Sequence, residues 1–111
     1  MYVYDQANNL ARAIKESKEY KEYEEAKKSL DSNLEMKNKV EEFEKIRYEV
    51  QVLSFKGEKQ DEEKMKKLQE MYDILMKEPK IKEFFDIEVR FNIMLADVNK
   101  IISESVQDLL Q

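Results

Sequence analysis

Carboxylates are the side chains of this sequence with the greatest capacity for chemistry. The 111 residues include 25 Asp and Glu, but no His and no Cys. The chain therefore lacks the usual general base at neutral pH, the thiolate nucleophile and the ligands of most zinc and iron–sulfur sites. A magnesium-dependent hydrolase needs inward carboxylates three or four residues apart, whereas pairs such as Glu41-Glu42 are adjacent and do not share a helix face. We expect no enzyme, no metal and no cofactor, with the hydrolase kept as an alternative.

Glu88 is the carboxylate with the most unusual position, because it lies in an otherwise apolar helical stripe. It could belong to a ligand or metal site, or it could pair with a nearby Arg. The chain has only three Arg, namely Arg12, Arg47 and Arg90, and Arg47 lies beside an apolar face. A bidentate pair inside a helical bundle would satisfy both charged groups. We predict a buried pair between Glu88 and Arg47, with Arg90 and Arg12 as the other candidate partners.

Four tyrosines in the first quarter of the chain, Tyr2, Tyr4, Tyr20 and Tyr23, could form a stacking surface for single-stranded nucleic acid. Acidic neighbours and the formal charge of -5 oppose contact with phosphate. The alternative is that Tyr20 and Tyr23 lie at the rim of the core with their hydroxyls in water. We favour the rim and expect no nucleic-acid binding, with a protein that binds RNA or DNA directly as the alternative function.

The methionines leave two interpretations open. Met residues are flexible and polarizable, so they can form an adaptable groove for a protein partner, or they can simply fill a core. The four concerned are Met65, Met71, Met76 and Met94.

The elements that must position these side chains are helices. The chain has one Gly and one Pro, and Lys and Glu dominate its polar positions. This composition predicts an all-α fold of about five helices in a single domain, residues 1–111. The predicted boundaries are a start near Asp5, a cap at Ser17, a turn at Asp31-Ser32-Asn33, a loop at residues 57–60, a cap at Asp61 and a break at Pro79.

The third helix carries the clearest core stripe. Its apolar residues step by three or four, and they are Met36, Val40, Phe43, Ile46, Val50 and Leu53. Residues 50–52 briefly alternate like a strand, but no second strand-like run exists to pair with them. We therefore predict helix through these residues as well.

The C-terminal helix is predicted to run from Pro79 to Leu110 without a breaker. Its heptad seam has two polar members, Glu88 and Ser105. The length of about 45 Å exceeds the roughly 35 Å diameter of a compact domain of this size, so we expect the apolar face to pack on a second copy. The predicted dimer seam consists of Phe84, Glu88, Phe91, Leu95, Val98, Ile102 and Leu109.

The N-terminus shows no basic and apolar segment of the kind that directs secretion. No apolar run approaches the ~20 residues of a membrane span. We expect a cytoplasmic protein that does not enter the membrane.

Several short segments, taken together, resemble a known family. They are YDQA at 4–7, LARAIKES at 10–17, EYKEY at 19–23, EVRF at 88–91, MLADV at 94–98 and the Ile pair at 101–102. The combination is similar to the YlbF/YmcA family of small bacterial proteins, and closest to its YheA-like branch. The resemblance covers essentially the whole chain in the same order, although no single segment is diagnostic.

The resemblance implies an all-helical subunit of about five helices that forms an intertwined dimer. Family members regulate competence, sporulation and biofilm formation, and two of them act with a third protein that influences an RNA-degrading endonuclease. Those members carry cysteines linked to iron–sulfur clusters, and this property does not carry over because the chain has no Cys. We predict a non-enzymatic regulatory adaptor that acts as a homodimer through contact with an unknown protein partner.

Overall fold

The computed structural model describes residues 2–57 and 62–110, and in these residues it contains helices and no strand. Five helices have at least 14 residues and the sixth has four. The prediction of an all-α chain with about five helices and a long C-terminal helix is therefore confirmed. The helices are α1 (Val3–Glu16), α2 (Lys18–Asp31), α3 (Leu34–Phe55), α4 (Glu62–Leu75), α5 (Pro79–Glu104) and α6 (Gln107–Leu110).

Side-chain caps fix the boundaries in the first half of the chain. The Ser17 hydroxyl accepts a hydrogen bond from the Tyr20 backbone N–H at 3.1 Å and donates one to the Ile14 carbonyl at 2.6 Å. Asn33 Oδ1 accepts from the Met36 N–H at 3.1 Å. The cap at Ser17 was predicted, whereas the sequence left Asp31, Ser32 and Asn33 open as the cap of α3. Each cap satisfies a backbone N–H that has no partner inside the helix. The first helix begins at Val3, two residues before the predicted start at Asp5.

Helix α3 ends where the single glycine of the chain allows the backbone to turn. Gly57 has a φ of +71°, in the left-handed region that side chains with a Cβ rarely adopt. Residues 50–52 are helical, as predicted. Residues 58–60 of the predicted loop and the predicted cap Asp61 lie outside the described residues.

Helix α5 begins at Pro79 as predicted, but it ends at Glu104 and not at Leu110. The Ser105 hydroxyl donates to the Ile102 carbonyl at 2.6 Å, and the Ser105 N–H is shared between the carbonyls of Ile101 and Ile102. Such local bonding competes with the regular helical pattern and breaks it here. The helix of 26 residues is about 39 Å long.

The chain forms two compact units. The first unit, Ser29–Glu83, contains the α3 core stripe packed on α4. The Phe43 and Tyr72 rings lie 6.1 Å apart, and Lys64 Nζ lies 3.4 Å from a Glu49 carboxylate oxygen. The buried apolar residues of this unit are Val40, Phe43, Ile46, Leu75 and Ile81.

The second unit combines both ends of the chain, Met1–Lys28 and Phe84–Gln111. Phe84 and Phe85 are buried in it, and aromatic contacts join α2 to α5. Helix α1 lies entirely within the described residues and contains no buried residue. The organisation of residues 1–111 as a single domain stays a prediction.

Candidate functional site

Tyr23 and Glu88 form the most specific polar contact between α2 and α5. The Tyr23 hydroxyl donates a hydrogen bond of 2.8 Å to Glu88 Oε2. The Tyr23 ring lies 5.0 Å from the Phe91 ring and 5.9 Å from the Phe84 ring, measured between centroids. Lys27 Nζ lies 5.0 Å from the Tyr23 ring centre. The expectation that the Tyr23 hydroxyl faces water was wrong, because this hydroxyl reaches the carboxylate in the apolar stripe.

The Arg residues have other described partners. Arg47 forms an ion pair with Glu44, one helical turn away, and its guanidinium lies over the Phe43 ring. Arg90 lies 3.7 Å from a Glu22 carboxylate oxygen. Arg12 donates to the side chain of Asn9. The pair between Glu88 and Arg47 stays a prediction, and Tyr23 is the partner of Glu88 that the sequence interpretation missed.

The predicted dimer seam divides into two parts. Phe84 is buried, and Phe91 contacts both Tyr20 and Tyr23 of the same chain. Glu88, Leu95 and Val98 are half-buried. The C-terminal members are open to solvent, since Ile102 is 51% exposed and Leu109 is 84% exposed. The N-terminal part of the seam is therefore already packed within the chain, and the seam as a dimer contact stays a prediction.

A groove of about 480 Å³ lies between the start of α2 and the second half of α5. We name it the α2–α5 groove. Helix α2 contributes Lys18, Glu19 and Glu22. Helix α5 contributes the apolar residues Ile93, Met94, Val98 and Ile101, together with Arg90 and Asp97.

The charges of this groove are unevenly paired. Lys18 and Arg90 each lie 3.7 Å from Glu22. Within the described residues, neither Glu19 nor Asp97 has an ion-pair or hydrogen-bond partner for its carboxylate. The lining therefore combines four apolar side chains with three carboxylates and two cations, so its net charge is −1.

A second apolar surface lies on α3, away from its core stripe. Tyr48, Val52 and Phe55 step by four and three residues, so they share one helix face. Tyr48 is 67% exposed and Phe55 is 97% exposed, whereas Val52 is half-buried. We name these three residues the α3 row. This row was not predicted from the sequence, because the stripe from Met36 to Leu53 had already identified α3 as a helix that packs in the core.

The four methionines do not form one surface. Met65 is exposed, and Met71, Met76 and Met94 are half-buried. Of these four described side chains, only Met94 lines the α2–α5 groove. The adaptable groove and the core-filling role therefore both remain predictions.

A metal site requires several ligand side chains close together. Among residues 2–57 and 62–110, no group of three or more His, Cys, Asp or Glu side chains could hold a metal ion. In the same residues, no helix combines the length and the apolar character that crossing a membrane requires.

These features define an all-α protein with a long helix near its C-terminus. A family model described as "Control of competence regulator ComK, YlbF/YmcA" matches residues 3–107, so the chain belongs to the YlbF/YmcA family. This match confirms the family predicted from the sequence. The narrower assignment to the YheA-like branch stays a prediction.

Curated relatives agree with this family assignment. A UPF0342 protein of Caldicellulosiruptor bescii is 33% identical over 105 residues, which cover 95% of this chain and 88% of that protein. A UPF0342 protein of Streptococcus sanguinis is 33% identical over 109 residues, which cover 98% of this chain and 97% of that protein.

A solved structure has the same fold. It is a protein of unknown function (DUF964) from Bacillus stearothermophilus, with a TM-score of 0.83 and 15% sequence identity. The similarity covers 96% of this chain and 94% of that one. At this identity the comparison establishes the helical fold alone.

Proposed function

We propose that this chain is a non-enzymatic regulatory adaptor, a cytoplasmic homodimer that presents helix faces to a protein partner. The family description, which concerns control of a competence regulator, supports the regulatory role. The α3 row is the observation that supports the adaptor role, because its two aromatic side chains, Tyr48 and Phe55, are exposed to solvent.

The α3 row has the composition of a binding surface for protein. Aromatic side chains are enriched in protein interfaces and supply a large part of their binding energy. Burial of a side chain the size of Phe stabilises a contact by roughly 1.5–3 kcal/mol, so an almost fully exposed Phe55 leaves this energy available for a partner. Val52 lies between the two aromatic residues and extends the apolar row along one helix face.

The homodimer is supported by α5. Its length of about 39 Å still exceeds the roughly 35 Å diameter expected of a compact domain of this size. Ile102 and Leu109 of the predicted seam are exposed beyond the segment that packs on α2. A second copy is the simplest source of an apolar surface for them, because closed symmetric dimers are the commonest oligomers.

Affinity purification from the native cell tests the adaptor role. The wild-type chain, a Tyr48→Ser/Phe55→Ser variant and an Ile74→Ser control are compared, since Ile74 is also an exposed apolar residue of the same unit. We expect one protein to co-purify with the wild type and the control, and at least tenfold less of it with the α3-row variant. Circular dichroism and light scattering serve as controls, and we expect the helix content and the mass to be the same in all three chains.

Two results would contradict the adaptor role. One is recovery of the partner by the α3-row variant at the wild-type level. The other is tight binding of a random single-stranded oligonucleotide that weakens steeply as salt is raised, because this dependence marks direct phosphate contacts.

A further inference from the structure

Helix α3 carries a second repeating pattern on the side opposite its core stripe. From Leu34 to Phe55 the residues of this side recur by four and three, which is the spacing of a heptad seam about 32 Å long. The seam positions of a heptad are called a and d. The residues at a are Asn38, Lys45 and Val52, and those at d are Leu34, Glu41, Tyr48 and Phe55. We name these residues the α3 seam.

The core of the unit does not cover the α3 seam. The buried residues of α3 are Val40, Phe43 and Ile46, and they occupy heptad positions c, f and b. Leu34 at the start of the seam is 70% exposed, its polar members are exposed, and Val52 is half-buried. The α3 row is therefore the C-terminal half of a longer surface that follows the whole of α3.

The residue types of the α3 seam are those of a parallel two-stranded coiled coil. In such dimers, a β-branched residue at a with Leu at d favours two strands, and an Asn or Lys at a fixes the register at a cost in stability. Val52 and Leu34 match the first rule. Asn38 and Lys45 match the second. The seam is apolar at its ends and polar in its middle, an arrangement that selects a partner.

The middle of the α3 seam is charged and unpaired. Glu41 and Lys45 are four residues apart on one helix face, the spacing of a helical ion pair. Neither side chain has an ion-pair or hydrogen-bond partner among the described residues. A helix that packs on this seam must therefore offer a cation opposite Glu41 and a carboxylate opposite Lys45.

The flank of the seam adds a further requirement. Heptad position e, directly after d, carries a carboxylate in three successive heptads, Glu35, Glu42 and Glu49. Glu35 pairs with Lys39 at 3.3 Å and Glu49 with Lys64 at 3.4 Å, whereas Glu42 has no ion-pair partner among the described residues. Positions e and g of facing helices pair across a coiled coil, so the partner needs Lys or Arg at the g position that faces Glu42.

A second copy of α3 does not meet these requirements. Parallel pairing of identical seams places Glu41 opposite Glu41 and Lys45 opposite Lys45, and facing like charges are unfavourable. Antiparallel pairing can join Glu41 to Lys45, but this register places Phe55 opposite Asp31, before the start of α3. The almost fully exposed Phe55 ring would then remain uncovered. The occupant is therefore a helix of a different protein.

We propose that the α3 seam forms a parallel two-stranded coiled coil with a helix of a different protein. This helix has a heptad seam of the same length, apolar at both ends, with a basic residue opposite Glu41 and an acidic residue opposite Lys45. The proposal rests on the adaptor role of the proposed function. It adds the class of partner and extends the contact from the α3 row to the whole of α3.

Site-specific photocrosslinking in the native cell tests this contact. p-Benzoylphenylalanine replaces Leu34 or Tyr48 in turn, and it replaces Lys39 in the control, because Lys39 is exposed at position b of the same helix. We expect both seam positions to crosslink to one partner protein, with the attachment point of position 34 about 14 residues before that of position 48. The control should give at least tenfold less of this product.

The crosslinks separate failure of the coiled coil from failure of the adaptor role. Crosslinks from position 48 alone would overturn the coiled coil and leave the α3 row as a docking surface. Attachment points in the reverse order, or on a second copy of this chain, would also overturn it. No product from either position would contradict the adaptor role itself.

Two synthetic peptides test the charged middle of the seam. Both are as long as the α3 seam, with Leu opposite its apolar members and Asn opposite Asn38. One has Lys opposite Glu41 and Glu opposite Lys45, and the other has these two residues exchanged. We expect the wild-type chain to bind the first peptide about tenfold more tightly in fluorescence anisotropy, because the exchange brings like charges together.

Exchange of the same charges in the protein should reverse this preference. The variant is Glu41→Lys/Lys45→Glu. Lys66→Glu/Glu70→Lys is the matched control, because it exchanges an exposed pair four residues apart on α4 and should keep the wild-type preference. Equal binding of the two peptides by the wild type, no binding of either, or an unchanged preference in the α3 variant would each overturn the proposal.

Discussion

At the scale of single residues, the Tyr23–Glu88 contact explains how a carboxylate is accommodated in an apolar stripe. The ring of Tyr23 packs on Phe84 and Phe91, and its hydroxyl supplies the hydrogen bond that a partly buried carboxylate requires. The spacing within α5 predicted that Glu88 lies on this face. It could not show which side chain of another helix lies opposite, and Arg was expected because it is the most versatile partner of carboxylates.

Removal of the Tyr23 hydroxyl tests this contact. We expect Tyr23→Phe to lower the free energy of unfolding by about 1 kcal/mol, because the apolar packing remains and a part-buried hydrogen bond is lost. Urea unfolding followed by circular dichroism measures the change. Tyr20→Phe is the matched control, since the Tyr20 ring also contacts Phe91 but its hydroxyl has no hydrogen-bond partner among the described residues. An equal loss in both variants would show that the Tyr23–Glu88 bond is not the cause.

At the scale of secondary-structure elements, most helix ends could be predicted because their causes are local. Ser17, Asn33, Gly57 and Pro79 each act on backbone within four residues, so their effects can be inferred from sequence. The end of α5 could not be predicted in this way. A Ser within a helix commonly points to solvent, and the sequence does not distinguish this arrangement from the bond that Ser105 makes to the Ile102 carbonyl.

The cap of α3 gives a prediction for the elements. We expect Asn33→Ala to cost about 1 kcal/mol of unfolding free energy, because the Met36 N–H loses its acceptor at the helix start. Thermal and urea unfolding measure the loss. Asn38→Ala is the control, as Asn38 is an exposed residue inside the same helix where Ala is the better helix former. A cost for Asn38→Ala as large as that for Asn33→Ala would contradict the capping role.

At the scale of the whole molecule, composition predicted the fold class but not the surfaces. One Gly, one Pro and abundant Lys and Glu were sufficient to indicate helices throughout. The α3 row was not predicted, because a helix with apolar residues on two faces has the sequence pattern of a core helix. The structure distinguishes the two faces by solvent exposure, since Phe43 is buried and Phe55 is exposed. The α2–α5 groove was missed because it depends on residues far apart in sequence, such as Glu19 and Asp97.

The mass of the chain in solution tests the central claim of a dimeric adaptor most directly. Static light scattering at micromolar concentration should give twice the chain mass of 13.4 kDa, because we propose that the exposed seam residues of α5 pack on a second copy. A mass of 13.4 kDa at that concentration would contradict the account.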